Sequence, residues 1–209
     1  MKLIRWIFYI GGLVVFSYGI AIALKMQHLG VHPWDVLNVA LFEKFGLSIG
    51  SWAIIISILL IIVSWILDKR YIKLGTFLNG ILVGALVDFY LWTNLLPSAS
   101  NTWTDIVVLL LGMLIMGFGG GLYNSAELGA GPRDGFMLSI SDKLGASIGL
   151  VRIIIETIVL IIGFLLGGPV FIFTFIFTFI QSPVFAYSFK KFKQILSRIE
   201  HKTTNTLHL

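Results

Sequence analysis

The 209-residue chain contains no cysteine and few charged side chains. Without cysteine the protein has no disulfide framework, no iron–sulfur cluster and no thiolate nucleophile. Only 12% of the residues are charged and 57% are hydrophobic, whereas a soluble domain carries about 25% charged residues. This composition excludes a disordered chain and a water-soluble globule, and with them soluble enzymes and nucleic-acid binders. The four histidines are scattered, so we expect no metal site and no cofactor.

Long apolar runs make up most of the chain. Because a spanning helix needs about 20 apolar residues, a chain of this length has no room for a separate soluble domain. Six runs predict transmembrane helices, at about residues 4–24, 51–67, 74–96, 105–125, 150–167 and 170–189. We interpret the first run as a span and not as a cleaved signal peptide, because it is long for a signal core and has a counterpart later in the chain.

Basic residues predict how the spans are oriented. Lys2 and Arg5 precede the first span, a basic cluster lies at 69–73, and a tail at 190–209 carries most of the net charge of +5. The connection at 97–104 contains no Lys or Arg. Because cytoplasmic loops are enriched in Lys and Arg, we expect both termini on the cytoplasmic side of the plasma membrane. The basic, amphipathic start of the tail is typical of a segment that lies on the inner leaflet.

Two segments between the spans are copies of each other. Residues 29–50 and 128–149 align without a gap at an offset of 99, with nine of 22 positions identical. Each segment predicts a short helix that starts at Pro and carries Asp in its first turn, over 33–45 and 132–144. Thirteen helical residues extend about 20 Å, which is too short to cross a hydrocarbon core of about 30 Å. We therefore expect two re-entrant or interfacial helices.

The duplication predicts the architecture. Residues 1–99 and 100–189 each contain a span, a short helix and two further spans, and the basic tail at 190–209 follows. Because three crossings per copy is an odd number, the second copy enters the membrane from the opposite side. The predicted fold is an all-α polytopic membrane protein with six transmembrane helices in a 3+3 inverted repeat, which is frequent in transporters. In such folds, short helices at matching positions indicate the binding site.

Several motifs are similar to those of a known family. They comprise Gly30, Pro33, Trp34, Asp35, the segment 46–50, Gly75, Thr76, the segments 119–123 and 128–135, Arg152, Glu156, Gly167 and Gly168. On these residues the chain resembles the YczE-type family of bacterial integral membrane proteins, which is related to the YitT-type proteins. The resemblance implies a plasma-membrane protein with no assigned reaction. The chain departs from the pattern near its end, with Phe173 and Thr174 in place of Gly-Thr, and with Gln181, Ser182 and Pro183 in place of Ile-Gly-Pro.

The short helices provide four candidate site residues. Asp35 and Asp134 could bind a cation or an amine, or they could simply stabilise the helix N-termini on which they lie. Trp34 and Arg133 occupy the same position in the two copies. Arg133 could hold an anionic group, or it could be an ordinary cytoplasmic arginine. Trp34 could contact a solute or anchor the helix at the membrane interface.

Charged and polar residues within the spans provide the other candidates. Arg152 and Glu156 lie four residues apart on one face of a span. They could form an ion pair that only fixes packing, or a substrate or proton site. Asp88 lies inside another span, and Asn124 follows a glycine-rich stretch that permits close helix packing. The predicted substrate-binding set is Trp34, Asp35, Asp88, Asn124, Arg133, Asp134, Arg152 and Glu156.

Three functions are compatible with these features. The first hypothesis is a small secondary transporter or channel-like permease for a small polar or charged solute. The second is a non-transporting accessory or scaffold protein that assists a biosynthetic or export system. The third, an intramembrane enzyme, lacks sequence support, because we find no metal-ligand motif and no nucleophile with a nearby base. The expected partners are the lipid bilayer and the solute, with no nucleic acid, and with a second copy or a partner membrane protein left open.

Overall fold

The computed structural model describes residues 2–93 and 95–206, and these residues form eight α-helices and no β-strand. In chain order the helices are α1 (Lys2–Lys25), α2 (Pro33–Phe45), α3 (Ile49–Asp68), α4 (Leu74–Trp92), α5 (Thr104–Ser125), α6 (Pro132–Leu144), α7 (Ile148–Leu165) and α8 (Ile172–Thr206). All except α2 and α6 are long and apolar enough to cross a membrane. The prediction of an all-helical protein with six spans is therefore confirmed.

The helices α2 and α6 each contain 13 residues and start at Pro33 and Pro132. Proline suits the first helical position because it has no N–H group, and an N–H group at this position would have no partner within the helix. An Asp in the first turn of each helix interacts favourably with the helix dipole. Both helices end at a glycine with positive φ, 75° at Gly46 and 63° at Gly145. Glycine adopts this backbone conformation without steric cost, so the local sequence explains both ends of each short helix.

The pair α1 and α5 forms the centre of the bundle. Within an apolar stretch of 18 residues in each helix, 56% of the residues are buried in α1 and 50% in α5, whereas the figure is 17% for α7 and for α8. His28, just after α1, lies 3.1 Å from the carboxylate of Asp105 at the start of α5, so the two helices are antiparallel. Gly19 of α1 packs against Met116 of α5, where an added Cβ would lie 2.7 Å from the Met116 nitrogen. Small residues of this kind allow the two backbones to approach closely.

The two halves pack reciprocally. Helix α2 of the first half packs on α7 of the second, and α6 packs on α3. The glycine before each short helix contacts the backbone of the other half. A Cβ added to Gly30, before α2, would lie 2.7 Å from the Thr174 nitrogen of α8. A Cβ added to Gly129, before α6, would lie 2.7 Å from the Thr76 nitrogen of α4. The segments that precede α2 and α6 therefore dock in the same way on opposite halves.

The halves differ in how their last two helices meet. In the first half, the backbones of α3 and α4 touch at Gly50 and Gly84, and the Gly50 nitrogen donates a 2.8 Å hydrogen bond to Asp88. Gly149 is the counterpart of Gly50, yet a Cβ added to Gly149 would meet nothing within 4 Å. Ser182 is the counterpart of Gly84. The helices α7 and α8 are therefore separated where α3 and α4 are in contact.

The final helix extends beyond the predicted span. We predicted that the last crossing ends near residue 189 and that the following tail lies on the inner leaflet, whereas α8 is one continuous helix of 35 residues. Its extension is tied to the rest of the protein by two ion pairs. The Arg5 Nε donates to Glu200 at 2.7 Å, and the Lys193 Nζ donates to Glu127 at 2.5 Å. The extension therefore packs near the start of α1 and the end of α5.

Candidate functional site

A cavity of about 140 Å³ lies between the two halves of the molecule, and all eight helices contribute to its wall. Five of the eight predicted site residues line it, namely Trp34, Arg133, Asp134, Arg152 and Glu156. They belong to α2, α6 and α7, and therefore come from both halves. A cavity enclosed by several helices with a few convergent polar groups is the usual form of a small-molecule site.

The lining consists largely of matched positions. Equivalent positions of the two copies differ by 99 residues through α3 and its counterpart α7. The second copy is one residue shorter after that point, so positions in α4 and α8 correspond at an offset of 98. Both members of seven such pairs line the cavity: His32 and Gly131, Trp34 and Arg133, Ala53 and Arg152, Ser57 and Glu156, Gly80 and Thr178, Val83 and Gln181, and Gly84 and Ser182. The cavity therefore lies where equivalent faces of the two copies meet.

The two copies contribute different chemistry to this wall. At six of the seven pairs, the second copy supplies the more polar or charged member, as with Arg152 opposite Ala53, Glu156 opposite Ser57 and Gln181 opposite Val83. Aromatic and aliphatic side chains such as Phe16 and Ile20 also line the cavity. The cavity is therefore amphipathic, with its charged groups concentrated on α6 and α7.

Arg133 connects the two short helices. Its guanidinium lies 5.1 Å from the centroid of the Trp34 ring and 3.5 Å from the carboxylate of Asp35. Asp35 is only 2% exposed, and it also accepts a 3.4 Å hydrogen bond from the Asn38 amide. Trp34 is only 3% exposed, so it lies inside the protein and does not anchor α2 at the membrane interface. The N-terminal turn of α2 is therefore bound to that of α6 by an ion pair and a cation–π contact.

Arg152 pairs with the second short helix. Its Nη2 donates a 3.0 Å hydrogen bond to the carboxylate of Asp134, which joins α7 to the start of α6. Within the described residues, no ion pair links Arg152 to Glu156, although the spacing of four would place both on one helix face. The alternative of an ion pair within this span is therefore not found, because tertiary packing brings a different carboxylate to the arginine.

Glu156 lines the cavity, and no residue of the described part of the chain forms an ion pair with it. It is the ninth of the 18 residues of α7, and so lies about 12 Å along the helix from its start. Its side chain lines the cavity and is partly exposed. Among the described residues, none forms a hydrogen bond or an ion pair with its carboxylate. A carboxylate is therefore available near the middle of a spanning helix.

The remaining predicted residues lie outside the cavity lining. Asp35 is behind it, paired with Arg133. Asp88 accepts hydrogen bonds from the Ser48 hydroxyl and the Gly50 nitrogen, and so caps the start of α3. The Asn124 amide donates a 3.0 Å hydrogen bond to the Gly120 carbonyl within α5.

The structure adds polar residues that were not part of the predicted substrate-binding set. Asn79, Tyr123, Gln181 and His32 all line the cavity. Burial, together with the guanidinium groups of Arg133 and Arg152, lowers the pKa of His32 to about 3, so its imidazole is neutral. The imidazole Nδ1 accepts a 3.4 Å hydrogen bond from the backbone nitrogen of Trp34. Polar residues within apolar spans were the signal that could have identified Asn79 and Gln181.

The fold and the cavity define a polytopic helical membrane protein with an internal, charged chamber. A family described as a family of unknown function, DUF6198, matches residues 3–195, and the chain belongs to this family. It is 34% identical to the uncharacterized membrane protein YczE of Bacillus subtilis, over 93% of this chain and 89% of that protein. This similarity confirms the resemblance to the YczE-type family.

Two further relatives carry no assigned activity in their names. The chain is 34% identical to an uncharacterized protein of Haemophilus influenzae, over 85% of this chain and 78% of that protein. It is 26% identical to the uncharacterized protein YyaS of Bacillus subtilis, over 79% of this chain and 83% of that protein. No solved structure matches the chain.

Proposed function

We propose that the protein is a small secondary transporter or channel-like permease. It moves a small polar or charged solute across the plasma membrane through the cavity between its halves, and both termini lie in the cytoplasm. The observation that carries this proposal is the unpaired carboxylate of Glu156, which faces the cavity from the middle of a spanning helix.

An unpaired carboxylate at this depth of the membrane raises the free energy of the folded protein. Insertion scales assign about 2.5–3.5 kcal/mol to a charged residue such as Asp at the centre of a spanning helix. An acid that only stabilised the fold would recover this cost through an ion pair, as Asp134 does with Arg152 at 3.0 Å. Glu156 forms no such pair within the described residues, so we assign it to the binding of a solute or a proton.

The reciprocal packing supports a 3+3 inverted repeat with α2 and α6 as re-entrant helices. Their first turns meet at Trp34 and Arg133, and each helix packs on a span of the other half. In transporters built from inverted repeats, broken or short helices meet at the substrate site near the bilayer midplane. The matched lining of the cavity is what such a symmetry would produce.

The difference between the halves supports alternating access. The helices α3 and α4 touch at Gly50 and Gly84, whereas α7 and α8 are separated at the equivalent residue Gly149. An exchange of these two arrangements would open the cavity to the other side of the membrane. Pro183 lies inside α8 next to Ser182, and a proline there removes one helical hydrogen bond and favours bending of the helix.

Reconstitution tests the proposal. Purified protein in proteoliposomes is adsorbed to a solid-supported membrane, and transient currents are recorded during exchange of small charged solutes and of pH. We expect at least one solute to give a current that is lost in Glu156→Gln and retained in Glu43→Gln, which makes the same change at an exposed acid of α2. A wild-type current that Glu156→Gln leaves unchanged would exclude the proposed role of Glu156.

The accessory or scaffold function is the outcome that would replace this proposal. It predicts that no solute gives a current, that neutral substitution of the cavity charges is tolerated in vivo, and that the tagged chain purifies with a membrane partner at fixed stoichiometry.

A further inference from the structure

The side chains that line the cavity indicate the charge of its ligand. We propose that the cavity binds a small organic cation, whose ammonium group contacts Glu156 and whose apolar part packs against aromatic side chains of the cavity wall. This inference rests on the proposed function, because it identifies the substrate class of the same site.

The charge balance of the cavity indicates a cation. The two arginines already have acidic partners, with Arg133 at 3.5 Å from Asp35 and Arg152 at 3.0 Å from Asp134. His32 is neutral because its pKa is lowered to about 3. Glu156 has no ion-pair partner among the described residues, so its ionised form leaves the cavity with one negative charge beyond the two pairs, and a ligand with one positive charge neutralises it. An anionic ligand would instead have to displace one of the two Asp–Arg pairs.

The rest of the wall favours an organic cation over a metal ion. The described residues contain no group of three or more His, Asp or Glu side chains that could hold a metal. Aromatic residues also line the cavity, namely Phe16, Trp34, Tyr123 and Phe185. Aromatic faces attract organic ammonium groups and also bury their carbon atoms. A carboxylate beside aromatic rings is therefore better suited to an amine than to a hydrated metal ion.

The volume limits the size of the ligand. The cavity measures about 140 Å³, and an engineered cavity of about 150 Å³ in another protein holds one benzene molecule. The ligand that fits is therefore an ammonium compound of about six non-hydrogen atoms. Larger amphiphiles would need the space between α7 and α8.

A matched pair of probes tests the charge requirement. Piperidinium and tetrahydropyran have the same ring size and differ in charge, and inorganic phosphate serves as the anionic probe. Binding of each is measured by isothermal titration calorimetry on the full-length protein in lipid nanodiscs. We expect piperidinium to bind, tetrahydropyran and phosphate not to bind, and Glu156→Gln to weaken piperidinium binding by about tenfold or more, the loss of a charge-assisted hydrogen bond.

The outcomes separate this inference from the proposed function. Because the assay measures binding without flux, bound piperidinium in a protein that transports nothing would support the cation site and contradict the transporter. Transport that persists while phosphate or tetrahydropyran binds as well as piperidinium would overturn the cation site alone. Absence of piperidinium binding to the wild-type protein would also overturn it. If Glu156→Gln does not fold, Glu156→Ser replaces it, because serine occupies the equivalent position 57 of the first copy, and unchanged piperidinium affinity in that variant would contradict the proposal.

Discussion

The guanidinium of Arg133 lies 5.1 Å from the centroid of the Trp34 ring, and these two residues occupy the same position in the two copies of the repeat, at an offset of 99. Equivalent positions of the two copies therefore hold an aromatic ring in one copy and a cation in the other. Because an aromatic face attracts a cation, this difference between the copies provides a contact that joins them. The same contact places the first turns of both short helices at the wall of the cavity.

The first prediction concerns the ion pair beside this contact. Arg133→Met and Asp35→Asn should each lower thermal stability in detergent, because each leaves a buried charge or polar group without its partner. The double variant should be more stable than the sum of the two losses indicates, by a coupling energy of about 1–3 kcal/mol. Arg198→Met, at an exposed arginine of α8, is the control. Additive losses would mean that the two side chains do not interact.

The second prediction uses equivalent glycines of the two halves. A methyl group at Gly50 would collide with the Gly84 carbonyl, whereas at Gly149 it would meet nothing within 4 Å. Gly50→Ala should therefore cost about 1–3 kcal/mol of unfolding free energy through overpacking. Gly149→Ala should be neutral or should stabilise the helix by up to about 1 kcal/mol, since alanine favours helix more than glycine does. Equal effects at both positions, measured by thermal unfolding, would show that the halves pack alike.

The third prediction concerns motion between α7 and α8. Spin labels are placed at the exposed positions 147, directly before α7, and 186, in α8, and double electron–electron resonance in nanodiscs measures their separation. We expect two populations of distances, one for the open arrangement and one for a closed arrangement like that of α3 and α4. Labels at positions 3 and 118, on the central pair α1 and α5, should give a single distance. A single population for positions 147 and 186 under all ligand and pH conditions would contradict alternating access at this gap.

Sequence reasoning could identify the spans because hydropathy and length decide which helices can cross a bilayer. It could also place Trp34 and Arg133 at equivalent positions, since a gapless repeat preserves register. It could not assign the partner of Arg152, because the spacing to Glu156 describes one helix, whereas Asp134 is brought to the arginine by packing of α6 against α7.

The roles of Asp88 and of the last helix were also out of reach. An acid inside a span looks the same in sequence whether it binds a solute or caps another helix, as Asp88 does at Gly50. Hydropathy reports where a segment leaves the membrane and not where a helix ends, so it did not reveal that α8 continues through residue 206. Tertiary contacts decide both questions.

The central claim is that two copies cross the membrane in opposite directions around one shared cavity. Lys44 and Lys143 are equivalent, are both exposed, and lie in the last turns of α2 and α6. Because the chain contains no cysteine, single Lys44→Cys and Lys143→Cys variants can be labelled with a membrane-impermeant thiol reagent without background. The account predicts that position 44 reacts in intact cells and that position 143 reacts only in inside-out vesicles. Labelling of both positions from the same side would contradict it.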